Sequence, residues 1–135
     1  MPLEDDLRTE TLGSIEIWPI VGTEGMHYGQ VPQEAGDPFL YYARIGTEDA
    51  RCLGDPVGAV PFLHRFTIEV IGSDVAQVQD LARAVRAVLN NRSGPFGSGS
   101  VQLVTIDDQD DDYVFRAADD DSGFHRAALQ IEIFP

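Results

Sequence analysis

The sequence contains no lysine. Its nine basic residues are all arginine, set against 23 aspartates and glutamates, for a formal net charge of −14. A surface this poor in positive charge cannot neutralise a run of phosphates, so general coating of nucleic acid is excluded. The same charge would let DNA pass a wall without adhering, although solubility alone is an equally good reason for it. Cysteine is almost absent. Cys52 stands alone, which rules out an intrachain disulfide and matches a reducing compartment. No apolar run approaches the roughly 18 residues that a membrane-spanning helix needs. The opening Met1-Pro2-Leu3-Glu4-Asp5-Asp6 is acidic and lacks an apolar segment, so a signal peptide is not expected. Paired metal-ligand spacing is missing as well: His27, His64 and His125 are isolated, with no His-x-x-x-His, and zinc is not expected.

The chain is 135 residues long, enough for a single domain, 1–135, with one modest core. The clearest pattern lies in its middle. From Phe62 to Ile71 the residues alternate, with Phe62, His64, Phe66, Ile68 and Val70 on one face and Leu63, Arg65, Thr67, Glu69 and Ile71 on the other, a half-buried strand. Ser73 is placed to cap a helix over 74–91. There Val75, Val78, Leu81, Ala82, Val85, Val88 and Leu89 form one apolar stripe. Phe39 to Ile45 reads as a second strand. Leu3, Leu7 and Leu12, behind Pro2, suggest a weaker N-terminal helix. Ile15, Ile17 and Ile20, around Trp18-Pro19, suggest that the chain then turns extended. Gly22, Gly25 and Gly29 mark loop, and Val31-Pro32-Gln33 a short extended piece.

After the long helix, the glycines and serines of 93–100 read as a connector. Val101 to Ile106 reads as a strand, 107–112 as a turn, Tyr113 to Ala117 as a short strand, 119–123 as another turn, and Ala127 to Phe134 as the last strand. The fold class that follows is α+β: an antiparallel sheet of about four to five strands, the helix at 74–91 on one face and the other face left open.

Chemistry-bearing constellations are few. Eight aspartates fall within 107–121, at 107, 108, 110, 111, 112, 119, 120 and 121. A calcium loop needs a glycine and a glutamate at set positions, which this run lacks, so the segment reads as two solvated turns and no metal is expected. His64 and His125 sit near strand starts on the apolar face, where a histidine is ordinarily a hydrogen-bonded core or rim residue. Cys52 has no base beside it and reads as an inert thiol. The Gly/Ser stretch lacks the Gly-Lys-Ser/Thr ending of a phosphate loop. No catalytic residue and no cofactor is expected.

Three pieces in order resemble the small tail-terminator, or tail-completion, proteins of long-tailed phages and prophages. They are Val31-Pro32-Gln33 with Pro38-Phe39-Leu40-Tyr41-Tyr42; the strand and helix from His64 to Asn91; and Asp121-Ser122-Gly123-Phe124-His125-Arg126-Ala127 leading into the final strand. Residues 3–27 depart from the pattern, being poor in alanine and broken by Gly13 and Pro19. The resemblance implies a structural virion protein without enzymatic activity, assembled in the host cytoplasm. It implies a homo-oligomer, a hexameric ring, that caps the tail-tube protein, meets the head connector or a head-completion protein, and lets DNA through its centre without specific binding. It leaves open whether the chain is a tail terminator or a head–tail adaptor. The runner-up from another class is a cytoplasmic α+β ligand-binding domain or small enzyme. Trp18 and the segment 46–61, with Cys52, Leu53, Val57 and Val60, are the expected oligomer or partner contacts, because they are apolar and have no evident role inside the domain.

Overall fold

The structure is a computed structural model that describes residues 3–22, 24–31, 36–49, 61–115 and 123–135; at 48–49, 61–62, 107–115 and 123 it describes the backbone alone. The architecture is α+β. Helices α1 (Leu3–Leu12) and α2 (Trp18–Val21) precede strands β1 (Met26–Tyr28), β2 (Phe39–Asp49) and β3 (Pro61–Gly72). Helix α3 (Val75–Leu89) follows, then β4 (Arg92–Phe96), β5 (Gly99–Phe115) and β6 (Gly123–Phe134). The described strands form one six-stranded sheet in the order β1-β2-β3-β6-β5-β4. The last strand therefore lies between β3 and β5, at the centre of the sheet.

Alternation explains the central strands. Phe66, Ile68 and Val70 of β3 and Ala127, Leu129, Ile131 and Ile133 of β6 are fully buried. The two strands pair antiparallel, Phe66 opposite Ile131 and Ile68 opposite Leu129. Helix α3 covers this face with Val78, Leu81, Ala82, Ala84, Val85 and Leu89. Asp74, not Ser73, is its N-cap, the carboxylate accepting from the Ala76 amide at 3.0 Å. The helix consequently starts one residue later than the spacing suggests, and Val75, in its first turn, is 44% exposed. Strand passes to helix at Gly72, where a Cβ would come within 3.0 Å of the Pro38 Cβ and 3.1 Å of the Val78 Cγ2. Even alanine would crowd this corner.

Four expectations are corrected. The sheet has six strands rather than four to five, and it is mixed, because β1 pairs parallel with β2. This edge strand is three residues long, too short for alternation to reveal. The aspartates of 107–112 do not make a turn: they belong to one seventeen-residue strand, paired with β6 from Leu103↔Phe134 to Phe115↔Gly123. Asp is disfavoured in strands, but a long ladder to a central strand overrides that preference. The 93–100 connector is a hairpin, β4 turning through Gly97-Ser98 into β5. Residues 18–21, expected extended, form the single turn α2. The expected extended piece at 31–33 and the turn at 119–123 fall largely outside the described residues.

No helix among the described residues covers the other sheet face, which is mixed, with Leu103 37% exposed on it beside charged pairs. Arg65 lies across from Glu132, Nε to Oε1 at 3.7 Å, and Arg126 reaches Glu69 at 3.1 Å. Such half-exposed pairs contribute little to stability, about 0.2–1 kcal/mol each. They do give this face charged groups beside its apolar ones.

Candidate assembly interface

Helix α1 is tied down by acids. Glu4, Asp5 and Asp6 fill its first turn, and Glu10 lies one turn beyond Asp6 on the same side. Asp6 is only 7% exposed. Its Oδ1 accepts from the Ser98 amide at 2.9 Å and from the Ser98 hydroxyl at 2.8 Å. Glu10 accepts from the Gly97 amide at 2.7 Å and pairs with Arg92 at 2.6 Å. Two carboxylates of α1 thus hold the β4–β5 turn. Gly97, at φ +58°, carries no side chain because a Cβ there would collide with Asp6. Leu7, fully buried, with Leu3 and Leu12 packed partly against the core, adds the apolar part of the attachment.

The start of α1 is held separately. Arg44 of β2 lies over the Phe66 ring, 5.1 Å from its centroid. Its Nε is 3.0 Å from Glu4 Oε1, an electrostatic contact rather than an aligned hydrogen bond, since the Nε–H has no acceptor in line. Its Nη1 is 3.0 Å from His64 Nδ1. Burial, then the Arg44 charge, push His64 below the ordinary imidazole value of 6.5, and Glu4 pulls weakly the other way. Tyr42, nearby on β2, is pushed above 10.0 by burial, with Arg8 opposing. His64 is the hydrogen-bonded rim residue its position suggests.

Between α1 and β1 the chain sorts its apolar residues. Ile17 is fully buried, whereas Ile15 is 79%, Trp18 46% and Ile20 43% exposed. Ile20 and Glu16 form one wall of a shallow open groove whose other wall is Asp80, Arg83, Ala84 and Ala87 of α3. Trp18 is therefore at the surface, where a contact residue must be. Cys52, Leu53, Val57 and Val60 lie outside the described residues. Ile15 and Ile20 were not singled out from the sequence, although the isoleucine spacing around Trp18 was the available signal. Asp6, Glu10 and Arg44 gave none, since their partners are 40 to 92 residues away by number: Ser98 for Asp6, Arg92 for Glu10 and Glu4 for Arg44. Among the described residues, no three of His, Cys, Asp and Glu are grouped as metal ligands would be.

The core of this small α+β fold lies on one side of the sheet; of the exposed large apolar residues, Ile15, Trp18, Ile20 and Val75 lie in or beside the helices, whereas Tyr28, Val31, Ile45 and Leu103 lie on or beside the strands. The sequence matches the tail completion protein gp17 family over residues 6–134, so the chain belongs to that family and has a structural role in a phage tail. Among solved structures, a chain of the virion of a native gene transfer agent (GTA) particle superposes with a TM-score of 0.62 at 17% identity, covering 94% of this chain and 90% of that one. A second solved chain superposes at 0.50 with 14% identity, covering 98% and 97%. At these identities the superpositions establish the fold alone. No curated protein matches the sequence.

Proposed function

We propose that this protein is a non-enzymatic component of the virion tail that closes into a hexameric ring, caps the tail tube and presents a surface to the head connector, with DNA passing through the centre. The observation that carries this reading is the family match, which runs through nearly the whole fold. The GTA virion chain with the same fold supports the setting. Charge is consistent with a DNA passage. The chain has a formal charge of −14, and β5 places five aspartates, 107, 108, 110, 111 and 112, beyond Val104, the last residue of β5 that pairs with β4. An acidic wall repels DNA and keeps it moving. In this reading Trp18 and residues 50–58 lie at contacts between copies or with the tube.

Native mass measurement and a tail-capping assay test the proposal. The expected result is a closed oligomer, formed alone or on isolated tubes, that stops tube growth. Trp18→Ala and deletion of residues 50–58 should each leave the melting transition in place while weakening the ring or its docking. A strict monomer that ignores tubes would overturn the reading. A ring and capping activity untouched by both variants would move the interface elsewhere.

A further inference from the structure

A protonated imidazole donates from both ring nitrogens, and a guanidinium only donates. The 3.0 Å contact between Arg44 Nη1 and His64 Nδ1 therefore requires a neutral His64 with Nδ1 accepting and the proton on Nε2. The same Arg44 is the residue that meets Glu4 at the first turn of α1 and lies over Phe66. We propose that His64 is the acid-sensitive element of a latch: protonation of Nδ1 turns the acceptor that holds Arg44 into a competing donor, displaces the guanidinium from Phe66, and so releases the start of α1 from the sheet.

The surroundings of His64 support this direction. The charged groups acting on it are Arg44 from β2 and Glu4 from α1, and its partner across β6 is the uncharged Ile133. Arg44 is the nearer charge and opposes protonation, while Glu4 favours it through space but makes its own contact with Arg44. An added proton on His64 thus puts two cations side by side in a half-buried site, and the mobile one is the long arginine. The Asp6 and Glu10 contacts with the β4–β5 turn do not involve His64, so the expected response is loosening of the first turn of α1 rather than unfolding. The proposal rests on these contacts and is independent of ring formation.

The test follows amide hydrogen exchange of residues 3–12, corrected for intrinsic rates, between about pH 7.5 and about pH 5. Wild type should lose protection at the amides of residues 7–10, which donate to the first-turn carbonyls of α1, by at most about tenfold per unit of pH between about 6.5 and the lower value of the latched His64, and no further below it. His64→Gln, whose amide oxygen can accept from Arg44 but does not titrate in this range, should show the same protection at both ends, while His27→Gln should behave as wild type. Equal acid sensitivity in wild type and His64→Gln, or none in wild type, would overturn the proposal. Should His64→Gln fail to fold, nitrogen-15 shifts of the wild-type ring decide: the Nε2–H tautomer is expected at neutral pH, and an Nδ1–H tautomer or a charged ring would refute the latch.

Discussion

The two long helices are held to the same sheet by different physics. Helix α3 lies along β3 and β6 and buries six side chains in a continuous stripe. Helix α1 buries only Leu7 of its apolar residues completely, packs Leu3 and Leu12 partly against the core, and adds carboxylates aimed at backbone and arginine donors elsewhere in the chain. Apolar attachment tolerates some slippage and is strong in proportion to area. Polar attachment is geometric, so one displaced donor leaves a half-buried carboxylate unsatisfied. Substitutions in α3 should therefore act on global stability, whereas those in α1 should act on one corner of the molecule.

The largest effect is expected in α3. Leu81 is 1% exposed against the sheet, and Leu81→Asp places an unpaired charge there. At a cost of at least about 4 kcal/mol the domain should be largely unfolded by circular dichroism at room temperature. A melt like that of wild type would mean that the stripe is not the core contact. Asp6→Ala comes next. It removes the acceptor for both the amide and the hydroxyl of Ser98, and about 2 kcal/mol should be lost in denaturant titration, with exchange rising first in α1 and the β4–β5 turn. Uniform loss of protection across the sheet would contradict the idea of a local attachment.

A weaker effect should come from pH. His64 has its folded-state value lowered, so the unfolded chain binds the proton more readily. The neutral-imidazole contribution is complete above about 6.5, the unfolded value, and is lost as pH falls through the lower folded value. The melting temperature of wild type should accordingly fall more steeply than that of His64→Gln as pH drops below about 6.5, and parallel curves would remove His64 from the balance. The smallest effect belongs to the open face. Arg65→Ala breaks a 3.7 Å pair that is 38% exposed on the arginine side, and stability should change by less than about 0.5 kcal/mol.

The same contrast governs what could be read ahead of the structure. Helix α3, strand β3 and the turn between them were legible because local periodicity and burial coincide there. The last strand is where the spacing puts it, but the two short strands expected at 101–106 and 113–117 are one strand, β5, and β4 lies in the stretch expected to be a connector. The Gly/Ser stretch misleads because Gly94 at φ +90° and Gly97 at φ +58° serve a bulged hairpin rather than a loose connector. The aspartate run misleads because its local preference is outweighed by pairing with residues 123–130, which no window around Asp110 contains. Of the expected contact residues only Trp18 lies in the described part of the chain, and the surface around it is half legible: the isoleucine spacing is plain in the sequence, but which of them turn outward depends on Ile17 finding the core.

By itself, then, the chain determined its α+β character, the sheet face that α3 covers and the acidity of the whole, because these depend on residue type and on periods of two and 3.6 residues. Only the tertiary structure decided that the C-terminal strand lies at the centre of the sheet, that 107–112 extends rather than turns, and that α1 is anchored through Asp6, Glu10 and Glu4. Each of these depends on backbone pairing or hydrogen bonds between residues far apart in sequence, and no local pattern encodes which distant donor will meet which acceptor.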